Sequence, residues 1–466
     1  MFGRQVYRGM LVVVVMMAAA IAQTNNAKQQ AEKASKKPGN DWPTAAGNVA
    51  RTGFIEETIG PPYRRLWEAP FGGELAEYTQ PVISGGKVFL ATLNNAVIAL
   101  DAATGKQLWS FSGSGPFMHS AAVVGGRVFC ACNDGYVYAV GAQDGKEIWR
   151  FKGQAGFWAS VCCAESKVFV GCRDGNFYAI DQGSGEGVWS YEVGARIHQT
   201  AAYRQGKVTF GAENGRAYML DASSGEQLWK TEALPTLSFA FTWPVFEKRA
   251  VVYSPIPVSN IPLSYGFGRD ARAIGWDKPN PEDISKLPPG ARDHALISDY
   301  LNKNVDRQCV YILNADTGRM MSAAPAFVFR AVPQPPPVIA PDGGMILAHS
   351  GWYWGESSPG FLGRVRILGD RTLMRDFLKG GLGLGGTIIG GMPADIRCHL
   401  TGAGRMLFVS CHNAGAYDLD AGKVVELAAT PSGGDRMHGI VPAEGKIFHI
   451  SGGRLICQTT DKGAKK

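Results

Sequence analysis

The chain has 466 residues, 45% of them hydrophobic and 19% charged, a balance that excludes disorder and provides for a large buried core. Its 60 glycines are nearly twice the usual share of about 7% and follow no three-residue period, so they ask for many tight turns and exclude a collagen-like chain. A net charge of +7 is small for this length and sets nucleic acid aside as an expected partner.

Arg4 and Arg8 precede an apolar run from Met10 to Ala22, and Ala20, Ile21 and Ala22 make a small-x-small cleavage site before Gln23. Residues 1–22 therefore read as a secretory signal peptide, the run being too short for the ~20 residues of a membrane span. No cysteine follows the cleavage site, so no lipid anchor is expected, and the mature chain is expected to be periplasmic or secreted with no stable membrane span. Residues 23–40 form a polar leader, and residues 41–62 lead into the first repeat.

Four segments then align without gaps, from Lys87 to Trp109, Arg127 to Trp149, Lys167 to Trp189 and Lys207 to Trp229. Each holds two strands and a closing motif, which in the first copy is Ala99, Asp101, Thr104, Gly105 and Trp109. The aspartate can accept hydrogen bonds from its own turn, and the glycine can take a positive φ. Each tryptophan offers a flat apolar surface best buried between neighbouring sheets. A four-stranded unit of this size cannot hide both faces alone, and radial stacking into a propeller solves that.

Later units are weaker. Asn314, Thr317 and Gly318 mark a fifth, with Ser322 in the tryptophan position; Gly344 to Gly369 is degenerate; Ala416, Asp418 and Gly422 mark another, with Glu426 in that position; Gly439 to Cys457 is incomplete. Arg65-Leu66-Trp67-Glu68 reads as a closing strand that completes the C-terminal unit. The expected fold is all-β: an eight-bladed β-propeller, with seven blades as the alternative, of four-stranded antiparallel blades over residues 63–461, followed by a basic tail, 462–466. Residues 255–307 interrupt the fifth blade as a partly helical insertion, where Leu296, Ile297, Tyr300 and Leu301 have helical spacing. Trp352-Tyr353-Trp354 is either an aromatic contact loop or interblade packing, and Gly380 to Gly391 is a connection without the lysine of a phosphate loop.

The residues that begin the innermost strands converge on one mouth of the channel. They supply His119, Trp158, Arg196 with His198, Trp243, Arg397 with His399, and Arg436 with His438. Residues two apart on a strand share a face, so each Arg-x-His pair is expected to point into one funnel, cationic and rich in donors, suited to a carboxylate or phosphate. The competing reading has these side chains satisfying carbonyls and carboxylates such as Asp395 and Asp435. A metal on His198, His399 and His438 is a weaker alternative, and no metal site is assigned.

The motif Ala-x-Asp-x-x-Thr-Gly-x-x-x-Trp, intact from Ala99 to Trp109, resembles the tryptophan-docking repeat of pyrroloquinoline-quinone (PQQ)-type propellers. Asp41-Trp42-Pro43 with Arg51-Thr52-Gly53 resembles the opening segment of exported bacterial members. The resemblance implies one of two functions. One is a quinoprotein oxidoreductase holding PQQ and calcium. The other is a cofactor-free scaffold similar to BamB-like proteins of the outer-membrane assembly machine. In some quinoprotein dehydrogenases a vicinal disulfide lies against the quinone. Cys162 and Cys163 are adjacent but lie within an inner strand, where neighbours point to opposite faces, so no such bridge is expected. Nine cysteines leave at least one thiol free. No catalytic motif emerges, so the preferred expectation is a non-enzymatic, monomeric, exported binding scaffold for an envelope protein or small anionic ligand.

Overall fold

The computed structural model describes residues 40–258 except 77. It further describes 303, 305, 308–323, 336–349 except 342, 361–377 except 369–370, 399–410, 414–427 except 426, and 437–460. Every element named among these residues is a strand, and no helix is long and apolar enough to cross a membrane. Residues 1–22, read as a signal peptide, the expected leader except Asn40, Trp352-Tyr353-Trp354, the 380–391 stretch and residues 462–466 lie outside the described residues.

The first sheet runs Val82–Ser84, Lys87–Ala91, Ala96–Asp101, Gln107–Ser112, each strand antiparallel to the one before. The second, third and fourth sheets repeat this order from Ala122, Cys162 and Ala202. The fifth begins at Val245 and the sixth at Val338, again with four strands each. The seventh contains a four-strand meander from His399 to Val425, widened to five strands by Phe54–Ile55, which runs parallel to its innermost strand. The eighth takes three strands from Met437 to Thr460 and its fourth from Tyr63–Pro70, so the two ends of the wheel close in one sheet as the sequence suggested. Seven sheets thus have the plain four-stranded blade form, and the seventh in order departs from it through its added strand.

Leu296, Ile297, Tyr300 and Leu301, whose spacing suggested a helix within 255–307, lie outside the described residues. That region opens with the strand Ile256–Pro257, paired with Thr236–Ser238, because a proline at the strand end is tolerated in a two-stranded edge ladder.

Apolar alternation along the strands fills the spaces between sheets. Trp109 and Phe89 of the first sheet pack with Val128 and Tyr138 of the second. Leu100 and Val88 of the first pack with Phe448 and Leu455 of the eighth, which seals the wheel. Cys162 and Cys163 are both free thiols. They point into different interblade cores, Cys162 with Phe210 and Cys163 with Val137, which is the opposed orientation a strand imposes.

The closing motif has a common geometry. The indole N–H of Trp109 donates to the Ala142 carbonyl of the next sheet at 3.2 Å. Trp149, Trp189 and Trp229 do the same to Gln182, Ala222 and Ala315. Trp67, carried by the strand that closes the eighth sheet, donates in the same way to Ala102 of the first. A glycine lies under each indole. At Gly145 φ is +69°, and a Cβ would stand 2.6 Å from Cε3 of Trp109, so both the turn and the ring require a residue without a side chain. Each outer strand also carries a bulge just before its tryptophan, which leaves Leu108, Ile148, Val188 and Leu228 unpaired and exposed. Such bulges twist the free edge and discourage edge-to-edge pairing.

Asp101 holds its turn by accepting from the Thr104 hydroxyl and amide, both at 2.8 Å, and the Ala103 amide at 3.1 Å. These bonds, led by the Thr104 hydroxyl, pull its carboxyl below the usual range. Asp181 is lowered likewise by Ser184, and Asp221 is lowered to about 2 by Ser223 and Ser224. A depressed carboxyl stabilises the fold above its unfolded value, about pH 4, and that contribution disappears as pH falls through the folded value. The unfolding temperature is therefore expected to drop in acid, and Asp221→Asn should flatten that drop in a thermal scan against pH.

Candidate functional site

The first strands of the sheets face the axis, and each has one edge without a sheet neighbour. Residues 42–57 occupy those edges. Trp42 exchanges both backbone bonds with Ile83 of the first sheet, at 2.8 and 2.9 Å. The carbonyl of Pro43 then accepts from Val123 of the second sheet, Val49 from Tyr203 of the fourth, Ala50 from Phe246 of the fifth and Thr52 from Ile339 of the sixth. Gly53 and Ile55 accept from Gly402 and Gly404 of the seventh, and the Glu57 carboxylate from Gly445 of the eighth. The third sheet is reached by a side chain, since Arg51 Nη2 donates to the Val161 carbonyl at 3.2 Å. In sixteen residues the lead-in segment makes a belt that touches all eight blade sheets, its backbone taking them in ring order while the Arg51 side chain reaches back to the third. It does so because inner-strand N–H groups need acceptors.

Arg51 is the keystone of this belt. It is fully buried, and it also donates through Nε to Ala201 O at 3.0 Å and through Nη1 to Ala45 O and Thr44 Oγ1 at 2.7 and 2.8 Å. Burial lowers its pKa, while the neighbouring Cys162 and Cys163 thiols act the other way. Sequence reasoning found the Arg51 motif but gave it no role.

Beside the belt lies a buried layer. His119 Nδ1 accepts from the Ser120 N–H at 2.9 Å and sits 2.7 Å from Ser160 Oγ. Its ring meets Trp243 edge-on at 6.0 Å, and Tyr78 meets His399 at 5.3 Å. Gln80, Ser120, Ser160 and Thr200 hold one slot in successive repeats and bond between sheets, Gln80 N to Ser120 Oγ at 2.8 Å and Ser160 N to Thr200 Oγ1 at 2.9 Å. Burial, then Arg51, pushes His119 down to about 4, so this imidazole is neutral near pH 7.

A second cluster stands nearer the surface. Trp158 is fixed by its indole N–H, which donates to Asn133 Oδ1 at 2.7 Å. The Arg173 guanidinium lies 4.5 Å from the Trp158 ring and donates through Nη1 to the same Asn133 oxygen at 3.4 Å. The His198 imidazole stacks on Trp158 at 4.7 Å, with Nδ1 3.7 Å from Glu213 Oε1. Ser238 Oγ donates to that oxygen at 3.0 Å. Burial, then Arg173 and Arg196, pushes His198 to about 4, and burial raises the Glu213 carboxyl.

The funnel residues therefore separate. His119, Trp243 and His399 join the buried layer, while Trp158, His198 and exposed Arg196 join the outer cluster. Arg397 and Arg436 lie outside the described residues, as do Asp395, Asp435 and the side chain of His438. The shared-face argument for Arg-x-His fails at Arg196 and His198, because both precede their strand, Ala202–Arg204, and sit in a connection without period-two geometry. Positive charge rests on arginines rather than histidines. Sequence reasoning missed Asn133, Arg173 and Glu213. A signal was present: they fill one repeat slot whose residue type changes from copy to copy, beside a turn slot that stays Asn or Asp at Asn94, Asp134, Asp174 and Asn214.

The described residues gather no oxygen set that fits calcium beside a quinone. A calcium site needs about six to eight oxygens, carboxylates among them. The charge at the belt is Arg51, and the buried carboxylates among the described residues, Glu247 and Asp418, face Lys248 at 3.7 Å and Arg405 at 3.3 Å. Among the described residues no three His, Cys, Asp or Glu side chains gather as metal ligands.

A family model described as outer membrane protein assembly factor BamB matches residues 61–155 and 133–242. Among solved structures, the chain is similar to the quinohemoprotein alcohol dehydrogenase ADHIIG of Pseudomonas putida HK5. The two are 11% identical over 92% of this chain and 81% of that one, with a TM-score of 0.58. The quinohemoprotein alcohol dehydrogenase of Comamonas testosteroni gives 11% over 91% and 81%, with a TM-score of 0.58. The computationally designed protein Ika8 gives 11% over 85% and 99%, with a TM-score of 0.55. At such identity the likeness is one of fold. No curated protein matches the chain. The repeat, its indole-on-glycine closure and these likenesses make the fold a β-propeller, similar over residues 61–242 to the assembly-factor family.

Proposed function

We propose that this chain is a non-enzymatic binding scaffold of the bacterial cell envelope, exported by its N-terminal signal, which presents the outer rim of its wheel to a protein partner. The observation that carries this reading is the belt. Residues 42–57 take up the inner-strand edges with the chain's own backbone, and the charge they bury is a satisfied arginine rather than a ligand-holding carboxylate. The assembly-factor description of the matching family supports the same reading.

Two measurements test it. Purified protein given PQQ and Ca²⁺ is expected to reduce no dye with alcohols or sugars; stoichiometric uptake with turnover overturns the scaffold in favour of a quinone-dependent oxidoreductase. A photo-crosslinking residue at exposed Gln154, whose amide meets the Asp174 hairpin beside Arg173, is expected to capture a protein in envelope extracts of the native cell. One at Gln205, in a hairpin at the opposite end of the strands, is expected to capture none. Failure at both positions ends the proposal.

A further inference from the structure

Arg51 has its donors met, the buried cysteines lie among apolar side chains, and nothing in the structure shows what covers the exposed bulge residues Leu108, Ile148, Val188 and Leu228. The cluster around Trp158 differs from these, because it gathers unmet hydrogen-bonding capacity beside two arginines that form no salt bridge among the described residues.

Arg173 spends Nη1 on Asn133, its Nε is buried without a partner, and no described hydrogen bond uses Nη2. The Nε and Nη2 edge is the fork that grips a carboxylate in two parallel bonds. His198 is about nine-tenths buried, and its Nε2 also lacks a partner. Placing the ring proton on Nδ1, the nitrogen nearer Glu213 Oε1, leaves Nε2 with a lone pair that needs a donor. Both groups lie against one indole. Among the described residues neither Arg173 nor Arg196 forms a salt bridge, and Arg196 acts on both His198 and Glu213 through space. Buried polar atoms without partners are rare in folded proteins, and two beside one half-buried tryptophan call for a common explanation.

We infer that Asn133, Trp158, Arg173, His198 and Arg196 form a subsite for a carboxylate that carries a hydrogen-bond donor on the adjacent carbon. The carboxylate takes Arg173 Nη2 and, as that side chain turns outward, the buried Nε, with Arg196 adding charge at the rim. The donor meets His198 Nε2, and the body of the ligand covers the exposed part of the indole. A free 2-hydroxy or 2-amino acid has this chemistry, and so does the C-terminus of a peptide through its last amide N–H. The inference rests on the scaffold reading and gives its rim a specific chemistry.

Calorimetric titration of the purified chain with lactate, propionate, and trialanine with free and amidated C-termini tests it. Free trialanine or lactate is expected to bind with a Kd below about 10 mM. Lactate should exceed propionate by about fivefold, the worth of one neutral hydrogen bond. Binding of trialanine but not lactate assigns the subsite to peptide ends, and the reverse to free acids. Arg173→Gln is expected to weaken binding about tenfold or more without moving the unfolding midpoint. His198→Phe should keep the stack and erase the preference for lactate over propionate. Failure of all four probes to bind overturns the inference, as does Arg173→Gln binding like the parent. Crosslinking at Gln154 leaves the subsite residues in place and uses no small ligand, so it judges the scaffold independently.

Discussion

Arg51→Met is expected to destabilise the protein by about 4 kcal/mol or more, measured by equilibrium urea unfolding. Methionine keeps the volume but leaves the carbonyls of Ala45, Val161 and Ala201 without donors inside the protein. Hydrogen bonds to a charged group are worth about 1.5–3 kcal/mol each, and stranded buried acceptors cost about 1–3 kcal/mol each, so even partial relaxation leaves a large loss. Arg51→Lys should recover less than half of it, because an ammonium cannot reach three carbonyls in a planar fork. A second readout separates the belt from a general loss of stability. Amide exchange should accelerate first at Val123, Tyr203, Ile339 and Gly402, whose N–H groups donate to the belt. If those amides stay as protected as the strand interiors, the belt is not the element Arg51 holds.

Trp109→Ala is the second large effect, about 3–5 kcal/mol, since it empties a buried indole site between two sheets and removes the bond to Ala142. Gly145→Ala should cost about 3 kcal/mol for two reasons: a left-handed φ and a Cβ driven into the Trp109 ring. The double variant is the sharper experiment. Without the indole only the backbone strain remains, so the two losses should fall short of additivity by at least about 1 kcal/mol. Strict additivity in denaturant titrations would mean that ring and glycine do not meet in solution.

These two effects sit on opposite sides of what could be read before folding. The indole, the glycine beneath it and the aspartate of the turn were legible, because a repeat of constant spacing places the same local chemistry at the same point of every copy. Closure through Trp67 was legible for the same reason, as a fourth strand without its first three. The subsite was only partly so. Trp158, Arg196 and His198 stood out as polar or aromatic residues ahead of inner strands. Their geometry was misjudged, because a connection does not inherit the alternation of the strand that follows it. Arg173 and Asn133 come from hairpins of neighbouring sheets and meet Trp158 only once those sheets pack.

The amino-acid sequence alone determined an all-β wheel of repeated sheets, because strand alternation, turn residues and tryptophan spacing are local properties written once per repeat. Tertiary structure decided what fills its middle and where unmet hydrogen bonds collect. The belt of residues 42–57 bonds to strands as far away as Gly445, and no local pattern in a segment of small and polar residues encodes partners supplied by eight separate sheets.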